Sequence, residues 1–239
     1  MPTLLLIRHG ENNFVGKRLA GRLPGVHLNE KGQRQAQTIA DLLCKAPIKA
    51  IYSSPLERAV ETAQPLAAAL HLPVTQHDSL LEVNFGLWQG KTIKQLSRMK
   101  LWKVVQEHPT EMRFPEGESF VEAQQRIVDG LEEIQSAWTE RDLIACFSHS
   151  DSIKLAVAHY LGMPLNAFQR LHVDTTSITA LYLGKGGSYL FNLNFVQGQS
   201  FTPPPEDEHK KKGRKPAGQA QQPEDPAGLA ETDQGIRRD

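Results

Sequence analysis

The chain has 239 residues and balances 27 Lys plus Arg against 27 Asp plus Glu. A formal charge of zero gives no global pull toward nucleic acid or an anionic membrane, so any affinity for anions must come from local clusters of Arg, Lys and His. No stretch approaches the ~20 consecutive apolar residues of a membrane helix, and two cysteines, Cys44 and Cys146, are too few for a disulfide framework.

The first apolar run, Thr3–Ile7, stops at Arg8-His9-Gly10 and reads as a strand buried on both faces. It is too short for a secretory core and has no basic region before it. Residues 11–29 are loop-like. A helix is expected over Glu30–Cys44, with Asn29 as N-cap and Ala36, Ile39, Ala40 and Leu43 on its apolar face. Ile48–Tyr52 is the next strand, and Ser53-Ser54-Pro55 opens a helix with proline near its first turn. That helix turns Ala59, Ala63, Leu66 and Leu70 inward. Val74–Gln76 is a further short strand, and residues 78–118 are irregular with short helices around Ile93–Val105. Ser119 and Glu122 form a capping-box pattern ahead of the helical stripe Phe120, Ala123, Ile127, Leu131, Ile134 and Trp138. Leu143–Phe147 is a strand ending in Ser148-His149-Ser150. Ser152–Leu161 reads as a helix stopped by Gly162 and Pro164. Ile178–Leu183 and Tyr189–Leu193 are strands around a Gly184–Gly187 hairpin turn.

From Pro203 the sequence is Pro, Gly, Gln and charge with almost no large apolar residue. Such a segment cannot bury enough surface to offset its ordering entropy, so residues 203–239 are expected to be a disordered tail after a domain at 1–202. The lysine-rich stretch in it, Lys210-Lys211-Lys212, is flanked by acids and reads as solvated rather than as a nucleic-acid patch. Both cysteines are expected as buried, reduced thiols of a cytoplasmic protein. Oligomeric state is left open.

Two strands that each end in histidine are the chemical signal. In open α/β sheets sites lie outside the carboxyl ends of strands, which can bring His9 and His149 together. Arg58 near the start of a helix and Glu82 in a loop are further candidates. Leu4-Leu5-Leu6-Ile7-Arg8-His9-Gly10-Glu11-Asn12 resembles the signature of the histidine phosphatase superfamily, the phosphoglycerate mutase-like family. The likeness continues through Gly21-Arg22, Leu28-Asn29, Gly32, the run from Ile51 to Ala59, Thr62-Ala63, Leu81-Glu82, Gly86, Trp88, Gly90, Pro115–Ser119 and Phe147-Ser148-His149.

That resemblance implies a three-layer α/β/α sandwich with a mostly parallel central sheet. It implies a phosphatase acting on a small phosphorylated metabolite, with no metal and no cofactor. His9 would be the nucleophile, held through its other ring nitrogen by a backbone carbonyl, and Glu82 the proton donor. Arg8, Arg58, His149 and Asn12 would bind phosphate, a role suited to the planar, permanently charged fork of arginine. His27 is a candidate contact on the substrate side. Dedicated mutases of the family carry a longer insertion between the Glu82 region and the second histidine, so hydrolysis is the first reading and a phosphomutase the second. The third is a catalytically weak binding module that uses the phosphate pocket or the tail to hold a partner. The chain departs from the family in having Val15 where many members have asparagine, and Ser150-Asp151 where many have glycines. Asp151 suits a helix N-terminus but faces an anionic substrate with like charge.

Overall fold

The computed structural model describes residues 2–184 and 186–197. The tail expected at 203–239 lies outside the described residues.

The elements run β1 (Thr3–Arg8), α1 (Glu30–Leu43), β2 (Ile48–Ser53), α2 (Glu57–Leu70), β3 (Val74–Gln76), α3 (Ile93–Leu96), α4 (Lys100–Glu107), α5 (Phe120–Ser136), β4 (Leu143–Ser148), α6 (Ser150–Tyr160), β5 (Ile178–Gly184) and β6 (Gly187–Phe195), with two 3-10 segments between β3 and α3, one after α4 and one after α6. The strands form one sheet in the order β3-β2-β4-β1-β5-β6. The first four positions are parallel, while β5 runs antiparallel to β1 and β6 antiparallel to β5.

Strand pleating sends alternate side chains to opposite faces, and both faces are apolar. Leu4, Leu6, Ile144 and Cys146 join one core with α5 and α6, whose Phe120, Ile127, Leu131, Ile153 and Val157 are buried there. Leu5, Ile7, Ala145 and Phe147 join a second core with Ile39, Ala40, Leu43, Ala63 and Leu66 of α1 and α2. Helices on both sides of a mostly parallel sheet make the expected three-layer sandwich.

The helix ends follow their sequence signals with informative shifts. Asn29 caps α1 by accepting from Gly32 N at 2.9 Å, and the Ser119–Glu122 capping box of α5 is formed in both directions. Helix α6 closes on Gly162 at φ 62°, with Met163 N donating to Ala158 O and Gly162 N to His159 O, the paired bonds of a Schellman end. It begins two residues before the expected Ser152, because His149 itself is extended (φ −130°, ψ 168°) and takes the N-cap position. Helix α2 begins at Glu57, after Pro55 rather than around it, because Leu56 is extended (φ −68°, ψ 135°) and takes the N-cap position. Cys44 corrects an expectation. The apolar stripe of α1 stops at Leu43, Cys44 is the C-cap, and its thiol is exposed while that of Cys146 is buried. Among the described residues no helix is long and apolar enough to cross a membrane.

Candidate active site

The parallel pairing of β1 with β4 sets Arg8 opposite Ser148. One residue beyond, His9 N donates to Ser148 O at 3.0 Å. The ladder therefore delivers His9 and His149 side by side at the carboxyl ends of the two central strands, with ring centroids 5.2 Å apart and planes tilted by 59°. Arg58 enters from the first turn of α2 and is 1% exposed. Its Nη2 donates to Gly21 O at 2.7 Å and lies 3.3 Å from His149 Nδ1. The Thr62 hydroxyl, one turn along α2, donates to Arg58 O at 2.6 Å and accepts from Gly10 N at 2.9 Å. The helix and the loop carrying His9 are thus tied together.

Hydrogen-bond chemistry fixes the tautomers. A carbonyl only accepts, so the 2.7 Å contact between His9 Nδ1 and Gly10 O requires a proton on Nδ1. His9 Nε2 then carries the lone pair. A guanidinium only donates, so His149 Nδ1 accepts from Arg58, and His149 Nε2–H donates to Ser54 Oγ at 2.8 Å. Burial, reinforced by the charges of Arg58 and Arg8, holds His9 well below the usual histidine range. Burial followed by Arg58, His9 and Arg8 does the same to His149. Both imidazoles are neutral at pH 7. Burial also pulls the Arg58 guanidinium down to about 10, which leaves it charged.

Glu82 is buried in the same site. Its Oε1 accepts from Val83 N at 3.0 Å, Ser152 N at 3.3 Å and Ser152 Oγ at 3.1 Å. Burial raises its pKa, and the Asp151 carboxylate raises it further. With donors converging on Oε1, the proton of the neutral acid belongs on Oε2. The Ser150-Asp151 departure from the family pattern thus acts on the acid: Asp151, paired to Lys154 Nζ at 3.2 Å, favours the protonated form of Glu82.

Arg8, His9, Asn12, Arg58, Glu82, Ser150 and Asp151 line one cleft of about 180 Å³. Four buried donors there lack a partner: Arg8 Nε, Asn12 Nδ2, and Arg58 Nε and Nη1. Buried donors are costly to leave unpaired, and this set, all donors and carried by two cations and an amide, matches the oxygens of a tetrahedral anion. Asn12 lines the cleft, with its Oδ1 accepting from Phe14 N and Val15 N at 2.9 and 3.2 Å. His27 does not reach the cleft. It is exposed and bonded to Glu61 Oε1 at 2.5 Å, because the loop before α1 turns it toward α2.

A profile described as the histidine phosphatase superfamily (branch 1) matches residues 4–195. The chain belongs to that superfamily. Phosphoserine phosphatase 1 of Hydrogenobacter thermophilus is 28% identical over 82% of this chain and 93% of its own length. A probable phosphoglycerate mutase of Erwinia tasmaniensis is 31% identical over 75% of this chain and 84% of its own. The solved structure of a mycobacterial glucosyl-3-phosphoglycerate phosphatase superposes with a TM-score of 0.75 at 27% identity, covering 82% of this chain and 99% of that one.

Within this histidine phosphatase, sequence reasoning missed the residues that hold the named ones. Ser54 orients His149, and Ser152 holds Glu82. The Pro115–Ser119 motif had no assigned role, and Glu118 supplies one. Its Oε1 accepts from Arg22 Nη2 at 2.9 Å, Arg126 Nη2 at 2.8 Å and Asn84 N at 2.8 Å. The two arginines in turn grip backbone carbonyls: Arg22 Nε donates to Glu82 O at 2.8 Å, and Arg126 Nη1 donates to Ser79 O and Leu81 O at 2.7 and 3.1 Å. One carboxylate therefore fixes the loop that presents Glu82. Its motif was visible in sequence; its partners, in distant loops, were not.

Proposed function

We propose that this histidine phosphatase hydrolyses small phosphomonoesters through a phosphohistidine on His9, without a metal ion, in the cytoplasm. The observation that carries the reading is the free Nε2 of a neutral His9 facing a cleft whose unpartnered donors belong to Arg8, Asn12 and Arg58. The His9 Nε2 lone pair attacks phosphorus, and the ester P–O bond breaks. The departing oxygen takes the proton from Glu82 Oε2, releasing an alcohol and leaving phospho-His9 opposite a Glu82 carboxylate. That carboxylate accepts a proton from water as the water oxygen bonds to phosphorus. The P–N bond breaks, and inorganic phosphate, neutral His9 and protonated Glu82 are restored. The permanent charges of Arg8 and Arg58 supply the electrostatic stabilisation that a metal gives elsewhere. Activity is therefore expected to survive EDTA.

A mutase reading is favoured by the probable phosphoglycerate mutase among the relatives. A mutase must hold a second anionic group while the first is transferred. Beyond the phosphate-facing residues the cleft offers one cation, Arg18, and one opposing carboxylate, Asp151. That balance supports hydrolysis. The test is trapping with labelled substrate, which should yield an acid-labile, base-stable phosphoprotein that is absent in His9→Ala together with turnover. Wild-type turnover in His9→Ala would overturn the assignment, and isomerisation of 3-phosphoglycerate outrunning phosphate release would make the chain a mutase.

A further inference from the structure

Besides the polar residues named above, the cleft is lined by Phe14, Val15, Leu19, Ala20, Phe85 and Ile93, with Gly16 and Arg18. We infer that this apolar set receives an uncharged, apolar alcohol moiety, so that the preferred substrates are singly phosphorylated esters of apolar alcohols rather than phosphorylated sugar acids. The inference rests on the phosphatase reading above and narrows its substrate class.

Charge balance points the same way. Among the lining residues Arg8, Arg58 and Arg18 are cationic, Asp151 is anionic, and Glu82 is held toward its neutral form by burial. A phosphate dianion offsets Arg8 and Arg58. What remains is Arg18 against Asp151, with no surplus positive charge for a second anion. Arg18 is exposed and its Nη1 is already donating to Gly90 O at 2.9 Å. A carboxylate meeting it there would do so in water, where ion pairs contribute little, and would share the cleft with Asp151.

The apolar wall is built in advance. Leu19 N donates to Lys91 O at 3.0 Å, Gly90 N to Leu19 O at 2.8 Å, and Ile93 N to Lys17 O at 3.0 Å. These bonds lace the loop after β1 to the segment leading into α3. Leu19 and Ile93 rest on the main core, and Phe85 is buried edge-on against Phe114. At the inner end Asn12 Oδ1 caps Phe14 N and Val15 N, so the residue that faces phosphate also sets where the wall begins. A preformed apolar wall converts ligand methylenes into affinity without an ordering cost.

Direct binding of n-alkylphosphonates to the full chain, read by calorimetry, tests this apart from turnover. Their phosphonate group is nearly constant along the series, so only chain length varies. Burial of each methylene should lower Kd about fourfold from ethyl- to butylphosphonate. 3-Phosphonopropionate, which carries a terminal carboxylate, should bind more weakly than n-butylphosphonate. Val15→Asn should reduce the gain per methylene. A Kd that is flat along the series, tighter binding of 3-phosphonopropionate, or an unchanged gain in Val15→Asn would each overturn the inference. Phosphate release from p-nitrophenyl phosphate, measured on the same preparation, reads the phosphatase activity separately: loss of release with a steep phosphonate series would sink the activity and keep the pocket, and the reverse would do the opposite.

Discussion

Replacing Glu82 by glutamine tests the proton donation proposed for it. The substitution is nearly isosteric, and a glutamine Oε1 can still accept from Val83 N, Ser152 N and Ser152 Oγ. It also removes a buried ionisable group, so the change in stability should stay within about 1 kcal/mol. What is lost is the proton on Oε2. General acid assistance is worth roughly 10²- to 10⁴-fold, or about 3–5 kcal/mol at 1.36 kcal/mol per decade. An alkoxide requires that proton, whereas nitrophenolate is stable enough to leave without it. In Glu82→Gln, kcat/KM on an alkyl phosphate should therefore fall by at least about 10², while p-nitrophenyl phosphate should lose much less. The pH profile carries the same signature. Burial raises Glu82, so the protonated acid persists above the ordinary glutamate range and wild-type activity falls as pH rises through the raised value. His9 is held well below 6.5, so the acid-side fall, where the proposed nucleophile becomes protonated, lies below that pH. Glu82→Gln should erase the high-pH limb and keep the low-pH limb. Equal losses on both esters, or a high-pH limb that survives, would refute the argument.

Glu118→Ala should lower stability by about 2 kcal/mol, because it strands Arg22 and Arg126 in a partly buried network. Its activity loss should be larger on alkyl than on nitrophenyl esters, since it loosens the loop presenting Glu82; denaturant titration and paired kcat measurements check both. Gly32→Ala would place a Cβ 2.0 Å from Glu11 O, a backbone contact that cannot yield, so we expect a lower melting temperature and reduced turnover from displacement of the adjoining His9-Gly10 backbone. Acid should destabilise the fold early. His9 and His149 are depressed below 6.5 mainly by burial, so the unfolded chain takes up protons first. Their contribution is intact above the unfolded value and is lost as pH falls below it, by at most about 1.4 kcal/mol per pH unit for each group. Thermal melts between pH 7 and pH 5 should show this fall, and His149→Gln should lessen it.

Much of the cleft's lining was legible because elements with strong signals carry it: Arg8 and His9 follow an apolar strand, Arg58 opens a helix, and Glu82 lies in a motif-bearing loop. His149, expected to bind phosphate, instead spends both ring nitrogens on Arg58 and Ser54. What could not be read depended on contacts between segments far apart in the chain. Asp151 looked like a liability to an anionic substrate, and only its position beside Glu82 gives it a use. Cys44 was misplaced because periodicity cannot tell the last covered residue of a helix from the first one past its end. His27 failed for a similar reason: nothing in a loop sequence says which way it turns, and Glu61 holds it away from the cleft.

The four unpartnered donors of Arg8, Asn12 and Arg58 do not distinguish an ester from the inorganic phosphate it yields. Both present the same tetrahedral oxygens, and once the alcohol has left, the apolar wall holds nothing. Product should therefore compete with substrate for the same donors, slowing turnover where free phosphate accumulates. It should also protect the fold, by about 2.7 kcal/mol when phosphate reaches a hundred times its dissociation constant. On the proposed phosphate-binding role of these donors, the protein would be coupled to the phosphate level around it: durable and slow in phosphate-rich surroundings, active and more easily unfolded in phosphate-poor ones.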